Sequence, residues 1–288
     1  MTQLSYKYIV IDIDGTLFDD QDHFDLPRFN HNVEKLTSQG VTLIVASGNG
    51  YDALQTIFRD CPLVTTFIAE NGGRLIVNHQ ELSSHHHSQT TIQRLLTYLQ
   101  ANVPKPDLLS LSGSHTTHIA EEYRAVPVPF YPHHDYFSQV SEITGPIYNL
   151  NINWYQQQLS WQKLQAISTQ LNANFPEVTA TYSGSYGIDI LPAGVNKGQG
   201  LKELITDYFH DPLTSVIAFG DSSNDLSMFK VAGTGVAMKN SSPDLLAIAD
   251  SITSFDNNRD GLLAEIERIF CIKRPLPWLK GNGLFSHY

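Results

Sequence analysis

Apolar and polar positions along this chain fall into short blocks whose lengths predict strand, helix, strand units. Residues 8 to 13 (YIVIDI) and 41 to 47 (VTLIVAS) read as buried strands, and residues 30 to 40 (NHNVEKLTSQG) between them as a helix stopped by Gly40. That succession predicts a parallel strand pair. A helix over about 51 to 59, a strand at 66 to 71 (TFIAEN) and a turn into a hairpin at 72 to 77 (GGRLIV) follow.

From residue 79 to 189 the texture changes. His and Gln become frequent, Pro and Ser interrupt, and a strand-like run at 148 to 155 (YNLNINWY) precedes a helical one at 160 to 175 (SWQKLQAISTQLNANF), which predicts an inserted α+β cap domain. Beyond it the earlier rhythm returns: GIDIL then a helix over 197 to 209, SVIAFG (215 to 220) then a helix over 223 to 231, GTGVAM (233 to 238) then a helix over 243 to 249. The expected fold class is therefore α/β, a doubly wound Rossmann-like parallel sheet built from residues 1–78 and 190–272 and interrupted by the cap at 79–189. Residues 273–288 carry Pro, Gly and aromatics without a period and are expected to form a C-terminal extension, with Trp278 and Phe285 docked on the core or on a second subunit.

Composition narrows the functional classes. The 288 residues are 41% hydrophobic and 16% charged, with 18 Lys+Arg against 29 Asp+Glu and a formal net charge of -11. A surface so acidic, with no basic patch, argues against nucleic acid and anionic membranes as partners. Cys61 and Cys271 are too few and too far apart for a disulfide framework or zinc cluster, and read as reduced thiols. No long apolar stretch precedes Asp12 and no apolar span reaches membrane length, so a cytoplasmic protein is expected.

The chemistry is expected at the strand ends, because ligands of open parallel sheets bind beyond the carboxyl ends of the strands. Asp12 and Asp14 sit at such an end, as do Ser47 and Asp221. Two acids this close repel one another unless a cation shares the site, and Gly15 permits the sharp turn just past them. The run 219 to 229 (FGDSSNDLSMF) repeats the arrangement, with Asp221 after a strand and Asn224 and Asp225 entering a helix. Hard oxygen ligands with few histidines nearby suit Mg²⁺ rather than zinc.

DIDGTL at 12 to 17, ASGNG at 46 to 50, GVNKGQGL at 194 to 201 and GDSSNDLSMF at 220 to 229 resemble the four motifs of the haloacid dehalogenase superfamily, and specifically its Cof-type sugar-phosphatase branch with a type IIB cap. The resemblance runs from residue 8 to about 270. It implies a Mg²⁺-dependent phosphatase in which Asp12 attacks phosphorus to form an aspartyl phosphate, while Asp14 protonates the leaving oxygen and then activates water. It further implies that Ser47 and Lys197 hold the phosphoryl oxygens, with Gly48, Asn71 and Asn224 as further substrate contacts. Mg²⁺ would lie between Asp12, Asp221 and the backbone carbonyl of Asp14, and Asp225 would steady Lys197. An acid two residues after the nucleophile favours hydrolysis or mutase chemistry over dehalogenation and ion pumping. One departure is Asn49, where the branch often carries Arg.

The remaining signals carry blander expectations. His85, His86 and His87 are adjacent, cannot all face one site, and are expected in a solvated loop. Trp154 and Trp161 are expected in the core rather than as sugar platforms. The cap holds Arg94, Lys105, Arg124 and Lys163 against eight Asp/Glu. A cap gripping a second phosphate would be more basic, which favours a small monophosphorylated metabolite, expected to be a sugar phosphate, over the substrate of a phosphomutase. A phosphomutase and a non-catalytic phosphate-binding protein on the same fold are the alternatives, and a monomer or homodimer is expected.

Overall fold

The computed structural model describes residues 6–128, 131, 133–182 and 186–273; the expectation for Trp278 and Phe285 lies outside them. In chain order the strands and helices are β1 (Tyr8–Ile11), α1 (Leu26–Ser38), β2 (Thr42–Ala46), α2 (Tyr51–Ile57), β3 (Thr66–Ala69), β4 (Arg74–Val77), β5 (Gln80–Ser84), α3 (Gln89–Asn102), β6 (Leu108–Gly113), β7 (Thr117–Ala120) and β8 (His134–Phe137). They continue with β9 (Ile147–Asn153), α4 (Trp161–Asn174), β10 (Val178–Tyr182), β11 (Gly187–Pro192), α5 (Lys197–Lys202), β12 (Val216–Gly220), α6 (Leu226–Val231), β13 (Thr234–Ala237), α7 (Pro243–Leu246), β14 (Ser251–Ile252) and α8 (Gly261–Ile269).

Eight strands form the first sheet in the order β14-β13-β12-β1-β2-β3-β4-β5. Pairing is parallel from β14 to β3, and β4 and β5 add an antiparallel edge. Residues of β1 and β2 point alternately to two separate apolar clusters. Ile9, Ile11 and Val45 pack with Phe29, Val33 and Leu36 of α1 and with Leu262 and Ile266 of α8. Val10, Ile44 and Ala46 pack with Leu201 of α5 and with Met228 and Phe229 of α6. Burial on both faces explains why these strands are almost wholly apolar, and it makes the sheet doubly wound.

Helix α1 starts at Leu26, earlier than the periodicity predicts. The Asp25 side chain accepts from Arg28 N and a proline occupies the first turn, so capping chemistry sets the start ahead of the apolar stripe.

The second sheet has six strands in the order β10-β11-β9-β6-β7-β8. Its two faces differ. Leu111, Leu150, Ile152, Ile188 and Ile190 turn to a core shared with Leu95 and Leu99 of α3 and Leu164 and Leu171 of α4. The intervening Ser110, Ser112, Asn149, Asn151 and Asp189 occupy the opposite face, where the register pairs Asp189 with Asn151, and Asn151 with Ser110. That polar face looks toward the carboxyl ends of the first sheet.

Strand pairing revises both expected junctions. Residues 80–84 belong to the first sheet as β5, whereas GIDIL, expected to resume that sheet, is β11 of the second and runs antiparallel to β9 and β10. Its alternation of Ile188 and Ile190 with Asp189 suits a sheet covered on one face only. His87 also departs from the solvated loop: it is 5% exposed, its backbone N–H donates to Ile147 O, and Nε2 lies 3.0 Å from Ile190 O. Trp154 is fully buried and donates to Pro104 O, but Trp161 is 55% exposed as the first residue of α4, where its ring stands clear of the core.

Candidate active site

Asp12, Ser47 and Asp221 are each the first residue beyond a strand of the first sheet, following β1, β2 and β12. Because those strands are neighbours in parallel register, the three residues emerge side by side at one sheet edge. Lys197 opens α5 after the Asn196 cap and reaches the same place from below, fully buried. Its Nζ lies 2.6 Å from Asp12 Oδ1 and 2.7 Å from Asp225 Oδ1. The other oxygen of Asp225 accepts from the backbone N–H groups of Asp221 and Ser222, at 3.0 and 3.1 Å. Asp225 therefore holds Lys197 with one oxygen and shapes the loop carrying Asp221 with the other.

One ammonium faces several carboxyl groups. Burial raises the Asp12 pKa well above the carboxylate range; Lys197 opposes the rise, and Asp225, Asp221 and Asp14 reinforce it. Burial works against the Lys197 ammonium too, but Asp12 and Asp225 outweigh it and hold its pKa above the ordinary value. Asp221 is pushed up to about 7, mainly by burial and then by Asp225, and its side chain lies within hydrogen-bond reach of Asp12. Carboxyl oxygens of Asp12, Asp221 and Asp225 come within 4.8 Å of one another. Two carboxylates this close need a proton or a cation between them, and an all-oxygen donor set suits a hard divalent ion.

Both Asp225 oxygens are engaged, whereas Asp12 gives Oδ1 to Lys197 and Asp221 gives Oδ1 to Thr16, so the second oxygen of each is the one that could hold such an ion. Gly15 keeps the space open, because its φ is +72° and a Cβ there would stand 2.4 Å from Asp221 Oδ2. Asp14, expected among the ligands through its backbone, directs its carboxyl elsewhere. It stands exposed at the floor of the cavity, with Asn49 Nδ2 3.5 Å from its Oδ2, and the surrounding walls raise its pKa by desolvation despite Lys197. Asn49 thus touches Asp14.

Ser47 is fully buried and its Oγ accepts from Asn49 N at 3.1 Å. A Cβ on Gly48 would meet the Asn71 amide at 3.1 Å, so the loop after β2 presses close to Asn71. Asn71 accepts from Asn224 Nδ2 at 3.3 Å and donates to Asp189 Oδ2 at 3.2 Å. All the sequence-predicted site residues are thus drawn to one region.

Above them a cavity of about 420 Å³ opens between the sheets, lined by Asp12, Asp14 and Asn71 below and by Ser112, Asn149 and Asp189 above. Sequence reasoning missed this upper wall and also Glu70. Glu70 Oε1 accepts from Ser112 Oγ at 2.7 Å, and burial, opposed by Ser112 and Arg74, pushes the Glu70 pKa up to about 7. A signal was available: Asn149, Asn151 and Asn153 recur at every second position of an otherwise apolar strand, which places amides on one face.

The fold and this acid and lysine constellation define a class. Residues 9–266 match the family model described as haloacid dehalogenase-like hydrolase, and the chain belongs to that family. Among curated relatives, 5-amino-6-(5-phospho-D-ribitylamino)uracil phosphatase YbjI of Escherichia coli (strain K12) is 25% identical over 277 residues, covering 94% of this chain and 99% of the relative. Among solved structures, SMU.1108c from Streptococcus mutans UA159 superposes with a TM-score of 0.81 at 26% identity, covering 93% of this chain and all of that one. The subclass IIB sugar phosphatase BT4131 shares the fold, with a TM-score of 0.74 at 18% identity over 92% of this chain and 100% of its own. Among the described residues, no helix is long and apolar enough to cross a membrane.

Proposed function

We propose that this chain, a phosphatase of the haloacid dehalogenase-like family acting on phosphorylated substrates, hydrolyses a small sugar or polyol phosphate with Mg²⁺ through an aspartyl phosphate on Asp12. The observation that carries the reading is the Lys197 ammonium held between Asp12 and Asp225 beneath a cavity whose floor exposes Asp14. The curated relative YbjI, named for a ribityl phosphate substrate, supports a polyol ester.

Asp12 attacks phosphorus, forming an O–P bond as the bond to the leaving oxygen breaks, and Asp14 gives that oxygen its proton. Desolvation keeps the Asp14 carboxyl easier to protonate than an open one, as a general acid requires. Water then attacks the acyl phosphate, Asp14 takes its proton, and inorganic phosphate leaves with Asp12 restored. Lys197 and the Ser47 hydroxyl hold phosphoryl oxygens, with Gly48, Asn71 and Asn224 beside them. Asp12 and Asp221, with the Asp14 carbonyl, would hold Mg²⁺, which would supply positive charge to the transferred group.

The test is phosphate release from a panel of sugar, polyol and nucleoside monophosphates, with Mg²⁺ and with EDTA, in wild type and Asp12→Asn. Turnover that needs Mg²⁺ and disappears in Asp12→Asn is expected. Isomerised hexose phosphate with little free phosphate would replace the reading with a mutase, and binding without turnover would replace it with a phosphate sensor.

A further inference from the structure

The end of the cavity away from Lys197 has its own chemistry. Three amide groups converge on Asp189: Asn149 Nδ2 and Asn151 Nδ2 donate to Oδ1 at 2.9 and 2.8 Å, and Asn71 Nδ2 donates to Oδ2 at 3.2 Å. Burial raises the Asp189 pKa, and these three donors oppose the rise by favouring the carboxylate. With its amide N–H given to Asp189, the Asn149 side chain is left with its carbonyl oxygen, Oδ1, as an acceptor at the cavity wall. Asn149 is 6% exposed, lines the cavity, and its buried Oδ1 has no hydrogen-bond partner among the described residues. A buried acceptor without a donor is costly, and a ligand bearing an N–H or O–H relieves it.

Charge points the same way. The described lining residues include Asp52, Glu70 and Asp189 away from the floor, no Lys or Arg, and His133 as the one imidazole. A second anion on the substrate would stand against Asp52 and Asp189, and against Glu70 once it has lost its proton, with no Lys or Arg among the described lining residues to meet it.

We propose that Asp189, together with Asn149, selects the leaving group. The pair accepts esters whose leaving group is uncharged and rich in hydroxyl or N–H donors, and rejects esters carrying a second phosphate or a carboxylate. This rests on the phosphatase reading above and assigns its specificity to two residues of the second sheet. Hydroxyls of a polyol satisfy Asn149 Oδ1 and the remaining lone pairs of Asp189, whereas an anion leaves the first unpaired and is repelled by the second.

A matched pair of esters tests it: D-ribitol 5-phosphate and D-ribonate 5-phosphate, which differ by a hydroxymethyl group against a carboxylate. With wild type, kcat/KM is expected to be at least about tenfold higher for the ribitol ester, on the scale of one uncompensated charge contact. Asp189→Asn should shrink that ratio severalfold, mainly through a lower KM for the ribonate ester, and Asn149→Asp, which adds a charge at the same wall, should widen it. A wild-type ratio near one, or a ratio that moves in neither variant, would overturn the assignment. Acetyl phosphate separates the two levels of the argument. If wild type releases phosphate from it in a Mg²⁺-dependent manner but does not discriminate between the esters, the selectivity assignment alone fails. If no phosphate is released from acetyl phosphate or either ester, the phosphatase reading fails and the assignment with it.

Discussion

Glu70 Oε1 accepts a hydrogen bond from Ser112 Oγ at 2.7 Å, joining the turn after β3 to the second sheet. Glu70 is 1% exposed and holds a φ of +53°, a backbone conformation uncommon for a residue with a side chain. Burial, opposed by Ser112 and Arg74, pushes its pKa from an ordinary 4.5 up to about 7. Between those values the folded protein retains a proton that the unfolded chain has released, so stability falls as pH rises through the window. The loss amounts to about 3 kcal/mol at full extent. Glu70→Gln should flatten this dependence, and melting curves of both proteins at pH 5.5 and pH 8 would read it: wild type loses stability on the alkaline side and the variant much less.

Lys197→Met removes the cation from a buried triad and leaves Asp12 and Asp225 facing each other. Breaking a buried pair from one side costs about 3 kcal/mol. Denaturant unfolding should show that loss, and phosphate release should fall below detection even where the variant remains folded.

Gly15→Ala is expected to weaken Mg²⁺ binding. The added methyl would stand 2.4 Å from Asp221 Oδ2 at a φ of +72°, so the carboxylate must turn away. Calorimetric titration should give a Mg²⁺ dissociation constant raised at least about tenfold, with a stability loss of about 1 kcal/mol from the strained backbone.

Binding of Mg²⁺ should also depend on pH. Without the ion Asp221 is pushed up to about 7, mainly by burial, so protons compete with the metal below that value. Apparent affinity should rise from pH 6 to pH 8 and proton release should accompany binding, both measurable by titration in buffers of differing ionisation enthalpy.

The βα units were legible in the sequence because strands buried on both faces are apolar throughout, and the acids that follow them are the conspicuous interruptions. Asp12, Ser47 and Asp221 are legible for that reason, and their convergence follows from parallel register alone. Asp189 was hidden by the same logic: GIDIL has the length and composition of a first-sheet strand, and only its pairing with β9 and β10 reveals a face turned to the cavity. His87 looked like part of a polar run because its burial depends on two carbonyls, Ile147 O near in space and Ile190 O from β11, that no local pattern discloses. Helix α1 shows the reverse, since the capping Asp25 and the following proline were in plain view and outweighed the apolar stripe as markers of its start.

The separation of the two sheets bears on how such a protein diversifies. Asp12, Asp14 and Asp221 follow strands of the first sheet and Lys197 opens helix α5, whereas Asn149 and Asp189 belong to the second sheet. Substitutions at the acids or the lysine disturb a charge balance that folding itself depends on, so drift there is closed off. The amide face of the second sheet stands outside that lysine-centred charge balance, so a lineage that rewrites it together with the amides that hold Asp189 can explore new esters while the phosphoryl chemistry is inherited intact.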